Sequence, residues 1–148
     1  MALRDAGCQP VQFSVDFITD TMLDYLTSFS TLQYLCLQNA RRHEGVHNSE
    51  KLATKFYKKV LRAHRENLQA LVIDVKLPGP WFMQHGSNIE DLSVCRKLRK
   101  LAIGLSYQDT TSENLLVHRA LNLRKSLPNL CQLSILQPKV PGSHDVSL

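Results

Sequence analysis

Four short runs share one pattern of apolar residues, and this pattern constrains the fold more than any other feature of the chain. Each run has the form Leu-x-x-Leu-x-Leu or Leu-x-x-Leu-x-Ile. The runs start at residues 32, 68, 98 and 130, so successive starts are 36, 30 and 32 residues apart. An apolar pattern that recurs every ~20 to 50 residues indicates a repeat architecture. The last two apolar residues of each run are two positions apart, which predicts a strand with both on one face.

Helical patterns separate these predicted strands. After a predicted cap at Asn48 or Ser49, the clearest of them has one apolar stripe formed by Leu52, Ala53, Phe56, Tyr57, Val60 and Leu61. A shorter helical pattern includes Ile18 and Met22, and two others are predicted to begin at Ser87 or Asn88 and at Thr111 or Ser112. Before the first run, Val11, Phe13 and Val15 alternate with polar residues and predict a further strand. Strands that alternate with helices predict an α/β fold with a parallel sheet and crossover helices.

The residues between the core leucines favour one type of parallel sheet over another. In a doubly wound sheet the inner strands are covered on both faces and are apolar throughout. Here the intervening positions are mixed and include Tyr34, Asp74 and Lys100. We therefore predict a solenoid of about four to five irregular repeats, with the parallel sheet on one face and helices on the other. The predicted boundaries are an irregular lead-in at 1–10, the repeat domain at 11–136 and a flexible tail at 137–148.

The four runs resemble the strand signature of leucine-rich repeats, over most of residues 11 to 136. Glu66-Asn67-Leu68 and Pro128-Asn129-Leu130 resemble the helix-to-strand junctions of long repeats. The spacing exceeds the ~20 to 29 residues of ordinary leucine-rich repeats. The Asn or Cys expected three residues after the last core position is replaced, in order, by Ala40, Lys76, Ser106 and Pro138.

Long, irregular intracellular repeats with true helices resemble those of F-box/leucine-rich-repeat proteins. In that family the repeats recruit substrates to a cullin-type ubiquitin ligase, and a separate N-terminal F-box binds the ligase's adaptor protein. Residues 1–31 are too few for that three-helix unit, so the resemblance implies the repeat portion alone. Both ends of such a solenoid would expose core residues, and we expect neighbouring repeats to be missing.

The distribution of basic residues bears on whether the chain binds nucleic acid. The formal net charge is +5, and the predicted helix from Lys51 to Arg65 contributes Lys51, Lys55, Lys58, Lys59, Arg62 and Arg65. No aromatic or glycine-rich nucleic-acid motif accompanies this basic face, so we predict a solvated helix surface, with nucleic-acid contact as an alternative.

No apolar stretch approaches the ~20 residues of a membrane-spanning helix. The N-terminus lacks a secretory signal, which predicts a cytoplasmic or nuclear protein, and the four dispersed cysteines are expected to be small buried residues.

Only one stretch matches a catalytic motif. His43-Glu44-Gly45-Val46-His47 satisfies His-Glu-x-x-His, in which both histidines bind zinc and the glutamate is a general base. No apolar stripe surrounds this stretch, and Gly45 would destabilise a helix by about 1 kcal/mol relative to alanine. We therefore predict a loop, and a zinc metallopeptidase is the alternative. No nucleophile elbow or phosphate-binding loop is present, so we expect no enzyme activity, metal or cofactor.

The sequence thus predicts a non-enzymatic module for protein–protein interaction. The resemblance implies that its partner is a ligase substrate or adaptor. The apolar cluster Trp81-Phe82-Met83 is expected to cover one end of the core, with a binding patch as the alternative. The predicted contacts lie on the sheet face without leucines and are Tyr34, Gln38, Val72, Asp74, Lys100, Gln132 and Leu136.

Overall fold

A computed structural model describes residues 7, 9–38, 46–74, 81, 86–104 and 113–136. The strands are β1 (Gln12–Val15), β2 (Tyr34–Gln38), β3 (Ala70–Asp74), β4 (Lys100–Gly104) and β5 (Gln132–Leu136). The helices are α1 (Asp20–Thr27), α2 (Val46–Lys55), α3 (Leu61–His64), α4 (Gly86–Ser93) and α5 (Glu113–Ser126). A π-helical turn (Phe56–Val60) joins α2 to α3.

The five strands form one parallel sheet, and their order in the sheet is their order in the chain. The predictions of an α/β fold, a parallel sheet and the position of each strand are confirmed. The second leucine of each run lies in the same register, so that Leu35 pairs with Leu71, Leu71 with Leu101, and Leu101 with Leu133. Each of the strands β2 to β5 begins two residues after the first leucine of its run.

The same hydrogen-bond pattern recurs where each of these four strands begins. One backbone carbonyl just before or between strands accepts from two successive N–H groups at the start of the next strand in the sheet. The Gln33 carbonyl accepts from Gln69 N at 2.8 Å and from Ala70 N at 3.0 Å, and the carbonyls of Val11, Gln69 and Arg99 do the same. Since these backbone groups are paired identically, the starts of strands β2 to β5 are structurally equivalent.

Two asparagines hold the junctions that the sequence singled out. Asn67 Nδ2 donates to the Ser30 carbonyl at 2.8 Å, and Asn129 Nδ2 donates to the Arg96 carbonyl at 2.7 Å. In both cases the acceptor lies two residues before the first leucine of the preceding run. The side-chain amides therefore tie each junction to the one before it.

The core lies between the sheet and the helices. Leu35, Leu71 and Leu101 are buried, and so are the first leucines of the first three runs, Leu32, Leu68 and Leu98. The edge strand β5 differs, since Leu133 is only half-buried and Ile135 is 50% exposed. The prediction of a buried residue at Ile135 is therefore wrong on this edge strand, which pairs only with β4 among the described strands.

The long helical segment between β2 and β3 confirms one prediction and corrects another. All six residues of its predicted apolar stripe are buried. The predicted cap is wrong, because α2 already begins at Val46, so that Asn48 and Ser49 lie within its first turn. Ser49 instead uses its hydroxyl as an acceptor for the Trp81 indole Nε1–H, at 3.1 Å.

Trp81 is part of the hydrophobic core. Its side chain is 3% exposed, and its ring lies 5.6 Å from that of Phe56. The Tyr57 hydroxyl donates to the Trp81 carbonyl at 2.7 Å, and burial raises the pKa of Tyr57, with a further contribution from the charge of Asp91. The prediction that this cluster covers the core is confirmed for Trp81, whereas Phe82 and Met83 lie outside the described residues.

His64 is a titratable side chain inside this core. It is 1% exposed, its Nε2 lies 2.7 Å from the Leu26 carbonyl, and its ring meets Phe29 edge-on at 5.2 Å. Because the carbonyl only accepts, the Nε2–H is the donor. Burial lowers the pKa of His64, and hydrogen bonding to the Leu26 carbonyl only partly offsets this. The folded chain therefore favours the neutral imidazole.

This burial predicts a loss of stability in mild acid. Below about pH 6.5, the ordinary pKa of histidine, the unfolded chain binds a proton that the folded chain resists. The free energy of unfolding should then fall as the pH falls, by up to about 1.4 kcal/mol per pH unit until the folded pKa is reached. Urea unfolding of the wild type and of His64→Gln gives this pH dependence of the free energy of unfolding. Suitable values are about pH 7.5, 6.5 and 5.5, which lie on both sides of the ordinary histidine pKa. The variant should be less stable at high pH and show a shallower slope, and equal slopes would contradict the assignment.

Candidate interaction surface

One face of the sheet carries alternating residues that point away from the leucine core. The register places Gln12, Tyr34, Ala70, Lys100 and Gln132 in one row across the five strands. A second row consists of Ser14, Cys36, Val72, Ala102 and Ser134. We call this surface the open face, because every residue of these two rows is exposed or half-buried.

The open face has a polar margin and a small apolar centre. Tyr34 is 39% exposed, and Gln38, Asp74, Lys100 and Gln132 are also exposed. Val72 is half-buried among its neighbours, as are Cys36 and Ala102 beside it in the second row. The structure therefore brings the predicted contacts together on one surface, with Leu136 half-buried at its β5 end.

A groove of about 410 Å³ lies on the open face over β1, β2 and β3. Its lining consists of Gln12, Phe13, Ser14, Tyr34, Leu35, Cys36, Ala70 and Val72. Of the predicted contacts, Tyr34 and Val72 line it, whereas Lys100, Gln132 and Leu136 lie on β4 and β5 beyond it. The predicted contacts did not include Gln12, Ser14, Cys36 and Ala70, although strand alternation places all four on this face.

The open face carries opposite charges at its two ends. Lys100 is the first residue of β4, and Asp74 is the last residue of the neighbouring β3. Ala70 pairs with Lys100, so the two charges are separated by four residues, roughly 13 Å along the strand direction. A partner that matches both charges must present an acidic and a basic group at this spacing.

The basic helix surface is partly neutralised within the chain. Lys51, Lys58, Lys59, Arg62 and Arg65 are exposed as predicted. Lys55 instead joins α2 to α1, with its Nζ 2.6 Å from Asp20 Oδ1 and 2.7 Å from Asp24 Oδ1. Desolvation lowers the pKa of Lys55, but the hydrogen bonds and attraction of these two carboxylates outweigh it and raise the pKa.

The predicted zinc motif lies mostly outside the described residues. His43, Glu44 and the side chain of His47 are not described. Within the described ranges, no group of three or more histidine, cysteine and acidic side chains is arranged to hold a metal ion.

The cysteines divide between core and surface. Cys95 is buried, its Sγ donates to the Leu61 carbonyl at 3.6 Å, and burial raises its pKa to about 12. Cys36 is half-buried on the open face, and Cys131 is exposed, so the prediction of buried cysteines is wrong for Cys131. Cys8 lies outside the described residues. No described thiol forms a disulfide.

None of the helices that the structure describes is both long and apolar enough to cross a membrane. Comparison with protein-family models, with curated proteins and with solved structures found no match to this chain.

Proposed function

We propose that this chain is a non-enzymatic interaction module of the leucine-rich-repeat type, which binds a protein partner on the open face. The observation that carries the proposal is a parallel sheet with one buried face, formed by Leu35, Leu71 and Leu101, and one face whose two rows of residues are exposed or half-buried. Parallel sheets in α/β proteins generally have both faces covered, whereas solenoids keep one extended sheet surface available for binding. The strand order, which equals the chain order, and the recurring hydrogen bonds at the strand starts support four to five stacked repeats.

The chemistry of the open face suits a protein partner. Tyr34 offers an aromatic ring with a polar tip, the type of residue that often dominates interface energies. Beside it, Val72 and Cys36 form a shallow apolar floor. Asp74 and Lys100 supply the charges that would fix the partner's orientation. The remaining predicted contacts, Gln38, Gln132 and Leu136, form the margin of the same surface.

The pKa shifts of the buried groups support a module without catalysis. Among the described residues, burial governs the shifted pKa values of His64, Tyr57 and Cys95. All three lie in the core, where they form structural hydrogen bonds to backbone carbonyls. Active sites usually place such groups together in a cleft, and here they are separate from the open face.

The resemblance to F-box/leucine-rich-repeat proteins extends the proposal to a biological role. In that role the open face would hold a substrate for delivery to a ubiquitin ligase. Such a protein would act in the cytoplasm or nucleus, where exposed thiols such as Cys131 remain reduced.

Paired affinity purification and quantitative mass spectrometry test the open face. Tagged wild type is compared with Tyr34→Ala/Asp74→Asn, which removes the aromatic contact and one charge. The matched control is Leu121→Ala/Glu66→Gln, which truncates one exposed apolar side chain and neutralises one carboxylate away from this face. For a partner lost only with the first variant, purified components should bind about thirtyfold more weakly, or ~2 kcal/mol.

The alternatives make different predictions for the same preparations. Partners that are retained by the open-face variant, or lost equally with the control, would contradict the proposal. A ligase substrate should also accumulate in cells when the open face is substituted. An open-face partner whose abundance does not change would contradict the ligase role while leaving the interaction itself intact.

A further inference from the structure

A second groove lies at the edge of the sheet where β3, β4 and β5 begin. It has a volume of about 600 Å³ and is lined by Gln69, Lys97, Arg99, Pro128, Asn129, Leu130 and Cys131. None of these residues lines the groove on the open face. We call it the junction groove, because the helix-to-strand junctions lie beside it.

The junction groove belongs to a part of the chain with unbalanced positive charge. Arg96-Lys97-Leu98-Arg99-Lys100 contains four basic residues in five positions, and all four are exposed while Leu98 is buried. The sequence has no aspartate or glutamate in residues 92–108 or 114–144. The helix surface differs, because Lys55, Arg62 and Arg65 there each have an acidic neighbour. The groove therefore lies in a part of the chain where basic side chains outnumber acidic ones, which favours an anionic ligand.

Hydrogen bonds hold the backbone around Lys97 and Arg99, the two basic residues in the lining of the groove. Asn129 Nδ2 donates to the Arg96 carbonyl at 2.7 Å. The Arg99 carbonyl accepts from Cys131 N at 2.9 Å and from Gln132 N at 3.0 Å. The chain on both sides of Lys97 and Arg99 is thus fixed before any ligand arrives, which lowers the entropy loss on binding.

We propose that the junction groove binds an acidic segment of a partner protein. Carboxylates of the segment pair with Lys97 and with the Arg99 guanidinium, whose planar fork suits bidentate contact. Pro128 and Leu130 provide a small apolar surface for the same segment. Nucleic acid fits less well, because the described lining has no aromatic side chain on which a base could stack.

Fluorescence anisotropy with a labelled oligoglutamate peptide tests this site in low salt. The wild type is compared with Lys97→Glu/Arg99→Glu, and the control is Lys58→Glu/Lys59→Glu, an exposed pair on the helix surface. Both variants change the net charge equally. We expect the junction-groove variant to bind at least about tenfold more weakly and the control to bind nearly as tightly as wild type.

Cys131 provides a second readout of location. It is exposed within the lining of the groove, so bound peptide should slow its alkylation, as measured by peptide mapping. Cys36, on the open face, is the internal control and should react at an unchanged rate. Protection of both thiols, or of neither, would contradict the proposed position.

Three results of the binding measurements would overturn the proposal. They are equal weakening by the two charge variants, tighter binding of a single-stranded oligonucleotide that depends on Lys97 and Arg99, and no peptide binding in low salt. Self-association of the wild type that disappears in Lys97→Glu/Arg99→Glu would identify a second copy of the chain as the occupant instead. The Tyr34→Ala/Asp74→Asn variant should retain peptide binding, so the two sites can fail independently.

Discussion

Replacing Leu71 by alanine is expected to lower the free energy of unfolding by about 3 kcal/mol. Leu71 is fully buried on the central strand, where its register neighbours are Leu35 and Leu101. The substitution removes apolar contacts and leaves a cavity that the flanking leucines cannot fill without moving the sheet. Urea unfolding followed by circular dichroism gives the change.

The adjacent residue provides the matched control for this effect. Val72 lies on the same strand but on the open face, where it is half-buried. Val72→Ala should lower the free energy of unfolding by less than about 1 kcal/mol, because solvent already reaches this side chain. Equal losses in the two variants would contradict the assignment of the two faces.

The second large effect is expected at Trp81. Trp81→Ala should lower the free energy of unfolding by about 4 kcal/mol, because it removes the ring that packs on Phe56 and leaves the Ser49 hydroxyl without its donor. Thermal and urea unfolding, both followed by circular dichroism, measure the loss.

Phenylalanine at the same position separates packing from hydrogen bonding. Trp81→Phe keeps an aromatic ring against Phe56 but removes the indole donor to Ser49. We expect it to lose about 1 to 2 kcal/mol, the range of a buried hydrogen bond together with a partly filled cavity. A loss below about 1 kcal/mol in Trp81→Ala would show that this residue does not belong to the core.

The main features of the fold were predictable because they follow from periodicity. Alternate residues on a strand point to opposite faces, so the sequence alone identifies Leu35, Leu71 and Leu101 as core residues. The apolar stripe from Leu52 to Leu61 has helical spacing, and every member is buried. The junction asparagines Asn67 and Asn129 were also identifiable, though not the carbonyls to which they donate.

Other features depend on contacts between distant parts of the chain. The cap predicted at Asn48 or Ser49 was wrong because α2 already includes Val46, and the Ser49 hydroxyl is instead an acceptor for Trp81, 32 residues away. The π-helical turn was not predictable either, because the apolar stripe keeps ordinary helical spacing through it. His64 is buried because Leu26 and Phe29 meet it from α1 and the loop after it. Histidine spacing alone does not reveal such contacts.

The candidate site was predictable as a face but not as a groove. The alternation placed Tyr34, Val72 and Lys100 on one side of the sheet, and the register then brought Tyr34, Ala70 and Lys100 into one row. The junction groove was missed because its lining comes from three junctions that only the register aligns. Its basic run at 96–100 was nevertheless present in the sequence.

Solvent paramagnetic relaxation of methyl groups tests the central claim most directly. A soluble paramagnetic agent is added to methyl-labelled protein, and relaxation is measured at Ala70, Val72 and Ala102 and at Leu71, Ile73 and Leu101. The methyl groups of the first set should relax markedly faster, because they lie on the open face, whereas those of the second set are buried in the core. Equal protection of Val72 and Leu71 would mean that both sheet faces are covered, as in a doubly wound sheet, and would contradict the account.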